Sequence, residues 1–242
     1  MMVGDEAKPP LQCADCLVGQ YALCGPTVKA SPHEIDIRRR QILSFTAQKT
    51  FLHEGQPLTQ SFTFYSGWAI SFRHLTDGRR QILSFLLPGD PIILEGLFFP
   101  YRPAPYSVKS LTAVSLCAFS MSDMIGLVNA TEAQIENLSS AAWRLADATS
   151  RRMMDLGHRS AIGRVSQVLV DIERRLGERG GMQDHEFYFP IRQEHLADAL
   201  GLTTVYVNRT LDRLRKDGII EFERDRMKIL DPATLRRIAD EE

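Results

Sequence analysis

The chain contains four cysteines: Cys13, Cys16 and Cys24 close together near its start, and Cys117 far downstream. Thiolate sulfur is a soft metal ligand and a redox group. The first residues, MMVGDEAKPP, carry neither a basic region nor an apolar run, so no secretory signal is expected and the cytoplasm is the expected compartment. Thiols stay reduced there, and four cysteines suit metal binding or redox chemistry better than a disulfide framework. A four-thiolate zinc site, a thiol switch and no role at all stay open at this level.

A second set of residues is suited to reading DNA. In IRQEHLADALGLTTVYVNRTLDRLRKDGII, from Ile191 to Ile220, Leu196, Ala197 and Leu200 give one apolar face of a short helix. Gly201 follows as its terminator, and Thr203 can cap a second helix whose buried face is Val207, Leu211 and Leu214. Helix, tight glycine turn and helix make a helix-turn-helix, whose second helix enters the major groove. From Thr203 to Lys216 there are four cations, Arg209, Arg213, Arg215 and Lys216, against the single anion Asp212. Such a patch neutralises phosphates and makes affinity depend on salt. Thr203, Thr204, Val205, Asn208, Arg209 and Arg213 are the expected DNA contacts. Arg209 suits guanine and Asn208 adenine, with a phosphate contact as the alternative for Arg209. The stretch IIEFERDRMKILD after Gly218 reads as two short strands forming a wing, and Asp231-Pro232 opens a last helix.

Other elements must position these groups. Residues 1–30 read as an irregular cysteine-containing segment, and residues 31–45 as a short helix opened by Ser31-Pro32-His33-Glu34. From about 46 to 120, β-branched and aromatic residues dominate, and Gly55, Gly67, Gly78 and Gly89 recur every 11 or 12 residues. That spacing predicts a β-sandwich or roll, with a hairpin at Asp77-Gly78. The heptapeptide RRQILSF occurs at 39–45 and again at 79–85. It follows a helix pattern in the first place and a strand pattern in the second, and reads as coincidence. Residues 122–157 read as one long helix. Ile135, Leu138, Ala142, Leu145, Thr149, Arg152 and Leu156 alternate spacings of three and four, a narrow seam that fits pairing across a dimer axis, with packing against the helix's own domain as the alternative. A further helix over 158–179 opens the C-terminal domain. The expected class is α+β: a β-roll over 31–121, a dimerisation helix over 122–157 and a winged helix-turn-helix over 158–242.

A formal charge of −1 over 242 residues rules out a wholly basic coat, so any DNA contact must be local. No apolar run is long enough for a membrane span. No Ser/His/Asp set, phosphate loop or carboxylate pair supports an enzyme. His33, His53, His74, His158, His185 and His195 form no metal-ligand spacing; a haem in the roll would need His53 or His74, and none is expected. Trp68 and Trp143 read as packing residues.

This order of domains resembles the CRP/FNR family of regulators over nearly the whole chain. The markers are LPGD at Leu87–Asp90, the Gly67 and Gly78 turns and ALGLT at Ala199–Thr203. The resemblance implies a homodimer on two-fold symmetric double-stranded DNA, in contact with RNA polymerase. In the cyclic-AMP branch an Arg-Ser pair grips the cyclic phosphate. Those positions align here with Ala104 and Pro105, and Arg102 would need a different loop, so no cyclic nucleotide is expected. In the FNR branch three N-terminal cysteines and one roll cysteine hold a [4Fe-4S] cluster that senses oxygen. Cys13, Cys16, Cys24 and Cys117 are the matching ligands, and four thiolates are what such a cluster needs. The FNR reading helix carries Glu-x-x-Ser-Arg, whereas this chain has Val205, Asn208 and Arg209, so a different DNA site is implied. Glu95 stands where the family often has an acidic residue, with no evident role.

Overall fold

The computed structural model describes residues 12–100 and 102–240, and the first eleven residues of the 1–30 segment lie outside it. The described residues divide into two compact units, one within residues 12–73 and 84–146, the other within 74–83 and 147–240.

In the first unit the cysteine segment is more regular than expected. Two 3-10 turns, Cys13–Asp15 and Gly19–Tyr21, lead into helix α1, Gly25–Ala30. Helix α2 is confined to Pro32–Arg38, and strand β1 follows at once as Arg39–Phe45. The helix expected over 31–45 is thus corrected. RRQILSF has β-branched and aromatic residues as well as helix formers, and partners decide between them: Ile42, Leu43 and Ser44 pair antiparallel with Cys117, Leu116 and Ser115.

The roll continues with β2 (Thr50–Leu52), β3 (Gln60–Ser66), β4 (Ala69–His74), β5 (Arg80–Leu86), β6 (Pro91–Ile92), the short helix α3 (Glu95–Phe98), β7 (Ser107–Ser110) and β8 (Val114–Ser120). Both copies of the heptapeptide therefore lie in strands, except for Arg79 just before β5. The strands form two four-stranded sheets, ordered β1-β8-β3-β6 and β2-β7-β4-β5, the double-sheet roll expected from the glycine spacing. Gly78 turns the β4–β5 hairpin at a φ of 85°. The interior is filled by Phe64, Ile70, Leu116 and Trp68, each at most 1% exposed.

Strand β8 is buried on both faces, and its period of two explains how. Val114 and Leu116 face the roll interior, while Cys117 and Phe119 face a second core shared with Cys13, Cys24, Ile35, Met124 and Leu138. The cysteine segment is the cover of that outer face.

The helical stretch expected over 122–157 is two helices, α4 (Met121–Val128) and α5 (Glu132–His158). The break lies at residues 129–131, where Thr131 Oγ1 accepts the Gln134 N–H at 3.2 Å and restarts the helix. Gln134, Leu138 and Ala141 face the protomer's own core.

The second unit contains α6 (Ala161–Glu178), β9 (Glu186–Tyr188), α7 (Gln193–Leu200), α8 (Thr204–Lys216), β10 (Ile220–Glu223), β11 (Arg226–Ile229) and α9 (Pro232–Asp240). The wing has three strands, ordered β10-β11-β9. Strand β9 is too short to leave a periodic signal. Asp231 Oδ1 caps α9 by accepting the Thr234 N–H at 3.0 Å. Among the described residues, no helix is long and apolar enough to cross a membrane.

Candidate functional site

The DNA-reading element is local in origin. Gly201 ends α7 in the left-handed region at φ 63°, a conformation cheap only for glycine. Thr203 Oγ1 accepts the Tyr206 N–H at 3.2 Å and starts α8. Val207 and Leu214 are fully buried, with Leu211 half-buried beside them. That anchoring leaves Thr203, Thr204, Val205, Asn208, Arg209 and Arg213 exposed along the helix. Tyr206, not anticipated from the sequence, is 56% exposed and joins them; an aromatic three residues before Arg209 was the available signal.

The local charge is partly spent within the helix. Arg215 pairs with Asp212 at 2.8 Å and Arg213 with Asp217 at 3.7 Å. Gln193, at the start of α7, donates to Asn208 Oδ1 at 3.2 Å, so Asn208 is held from the neighbouring helix. His195 is 2% exposed. Its Nδ1 accepts the Arg192 N–H at 3.1 Å and closes the first turn of α7. Burial, helped by the nearby Arg80 guanidinium, pushes its pKa down to about 4.

The four cysteines converge from elements far apart in sequence. Cys13, Cys24 and Cys117 are buried in one cluster and Cys16 is half-buried. Cys117 lies within electrostatic range of Cys13, Cys16 and Cys24. Burial raises the pKa of all four thiols, that of Cys24 to about 12. Arg39 opposes this at Cys117, where it donates a hydrogen bond to the sulfur.

The turn at Leu87–Asp90 lets the segment close on the roll. Asp90 Oδ2 accepts the Leu87 N–H at 2.8 Å, and Gly89 donates to Phe64 O at 2.7 Å. Gly89 has φ 91°, and a Cβ there would lie 2.8 Å from Tyr21 Cβ. On the other side, Asn137 of α5 donates to Ala22 O at 3.2 Å and Leu23 O at 3.1 Å, next to Cys24.

The thiols converge loosely. Among the described residues no three His, Cys, Asp or Glu side chains are gathered closely enough to hold one metal ion. A single zinc bound at about 2.3 Å per sulfur would need its sulfurs within roughly 4 Å of one another. Four thiols are the donor set that either a four-thiolate zinc site or a [4Fe-4S] cluster would use.

Ala104 is 2% exposed and donates its N–H to Gln56 O at 2.8 Å, while Arg102 stacks over the Phe99 ring, 4.9 Å from its centroid. Glu95 accepts from the Tyr106 hydroxyl at 3.4 Å, and burial followed by this carboxylate raises the phenol pKa. Trp68 is a packing residue at 1% exposure, whereas Trp143, expected to pack, is 66% exposed. Of the expected seam on α5, Ile135 and Leu145 are 48% and 40% exposed, Thr149 is exposed, and Arg152 and Leu156 are half-buried. Leu138 is instead buried in the protomer's own core, with Ala142 packed against it; α5 turns that stripe toward the cysteine segment.

Comparison with known proteins agrees with this layout. Residues 42–131 match the cyclic nucleotide-binding domain family, and residues 163–238 match the Crp-like helix-turn-helix domain family. The nitrogen fixation regulation protein FixK of Bradyrhizobium diazoefficiens is 28% identical over 94% of this chain and 93% of its own length. The transcriptional activator protein FnrL of Cereibacter sphaeroides is 26% identical over 90% of this chain and 88% of its own. The solved structure of FixK2 from Bradyrhizobium japonicum superposes with a TM-score of 0.75 at 23% identity, covering 84% of this chain and 98% of that one. With both domains matched in this order, the chain belongs to the CRP/FNR family of transcription regulators.

Proposed function

We propose that the chain is a cytoplasmic activator that binds two-fold symmetric double-stranded DNA as a homodimer, contacts RNA polymerase, and responds to oxygen or redox state through a [4Fe-4S] cluster on Cys13, Cys16, Cys24 and Cys117. The observation that carries the sensing part is the convergence of Cys13, Cys24 and Cys117 on the outer face of β8, with half-buried Cys16 near Cys117. Burial disfavours the free thiolate a thiol switch would use. Such a cluster supplies electron-transfer chemistry, at a potential set by its ligands, burial and hydrogen bonds to sulfur.

The chain's own residues link that centre to α5. Asn137 grips the carbonyls of Ala22 and Leu23, and Gln134 hydrogen-bonds Thr27 in α1. A change in how the cysteine segment is held is therefore felt by α5, whose exposed apolar residues form the proposed dimer seam. No cyclic nucleotide is assigned to the roll, because buried Ala104 and half-buried Pro105 offer neither cation nor hydroxyl to a phosphate.

Anaerobic purification followed by an ultraviolet-visible spectrum and an iron assay tests this. A coloured protein carrying iron that Cys24→Ala loses is expected. A colourless, iron-free protein that still binds DNA would overturn the cluster and leave the DNA reading intact.

A further inference from the structure

We propose that Arg39, held in place by Asp36, is a positioning residue of the cysteine centre, supplying the positive charge that lets four thiolates share a buried, filled site. This rests on the cluster reading above.

Arg39 opens β1 opposite Phe119 of β8. Cys117 lies two residues from Phe119, hence on the same face of that strand. The Arg39 side chain is only 10% exposed and donates to the Cys117 sulfur. Asp36, at the end of α2, accepts the Cys13 N–H at 2.9 Å and Arg39 Nη2 at 3.4 Å. One carboxylate thus fixes the backbone of one ligand and the guanidinium that touches another. The two contacts join the N-terminal segment to β8 through residues that are not ligands.

The chemistry favours this placement. Four thiolates carry more negative charge than an iron-sulfur core returns, so a filled site is an anion inside an apolar shell. Charge in such a shell is costly unless paired. A guanidinium on sulfur offsets that charge and withdraws electron density from the ligand. Ligand hydrogen bonding and local charge are among the protein's controls on cluster potential. Asp36 pairs with the guanidinium and helps to hold it there.

The test uses the full-length protein, purified without oxygen, as wild type, Arg39→Ala, Arg39→Lys and Asp36→Asn. Iron per protomer, the decay of visible absorbance in air-saturated buffer and the midpoint potential are measured. Arg39→Ala is expected to lose its absorbance about tenfold faster, in line with other outer-shell substitutions, and to shift its potential to a more negative value. Arg39→Lys, which keeps the charge without the planar fork, should fall between the two, and Asp36→Asn should follow Arg39→Ala in direction. Should Arg39→Ala fail to fold, the other two variants decide the matter by the same readings. Wild-type decay and potential in an iron-loaded Arg39→Ala protein would overturn this proposal alone. An iron-free wild type would overturn the cluster reading and this proposal with it.

Discussion

Val205 and Arg209 are one turn apart on α8 and both exposed, Val205 at 57%. A valine offers a thymine methyl a contact but accepts nothing from a cytosine amino group. Val205→Glu should shift the preferred base pair facing that position toward one that presents an amino donor. A change of about 1–3 kcal/mol, roughly tenfold or more, is the ordinary worth of a good base contact. Binding to a panel of single-base operator variants measures it, and an unchanged preference would refute a base-reading role for Val205. This part of the site was legible because its rules are local: Gly201 and Thr203 act through their own backbone and the next turn of helix. The grip of Asn137 on Ala22 and Leu23, and of Arg39 on Cys117, was not legible. Those partners are separated by 115, 114 and 78 positions, and no spacing rule spans such gaps.

Helix α7 carries a pH dependence of its own. His195 is buried neutral, with its Nδ1 accepting from Arg192 N–H, and its folded pKa is about 4 against an ordinary value of 6.5. Between those values the unfolded chain holds the proton that the folded one refuses. Stability contributed here is fully present above pH 6.5 and falls as pH drops toward 4, by at most about 1.4 kcal/mol per pH unit. His195→Gln retains an acceptor for the Arg192 N–H and cannot protonate. Urea unfolding of both proteins at pH 7 and pH 5 should show a smaller acid loss in the variant, and equal losses would remove His195 as the cause. Elements of this kind, with caps and a clear apolar face, were found from the sequence. Residues 39–45 were misread because their pattern serves helix and strand alike, and pairing with β8 settles the choice. The strand character of β8 was plain, but its two-sided burial depends on a cover supplied from the start of the chain.

The outward side of α5 is rich in large apolar side chains. Ile135, Trp143, Leu145, Met153 and Met154 are each between 40% and 71% exposed. So many large apolar side chains on one helix mark an association surface. The seam read from the sequence placed Leu138 and Leu145 together, and the structure separates them: Leu138 is 7% exposed in the protomer's own core and Leu145 faces outward. A three-four repeat fixes a stripe but not which neighbour claims it, and here the cysteine segment claims part. The two leucines should therefore fail differently. Leu145→Arg should keep the far-UV spectrum and thermal midpoint of the wild type but sediment as a monomer. Its affinity for a two-fold operator should fall by about a hundredfold or more, because each half-site then loses the effective concentration that linkage provides. Leu138→Arg should instead lower the thermal midpoint, since it forces an unpaired charge into a packed core. Analytical ultracentrifugation beside thermal unfolding separates the two outcomes, and a Leu145→Arg protein that remains dimeric would show that this face of α5 is not the seam.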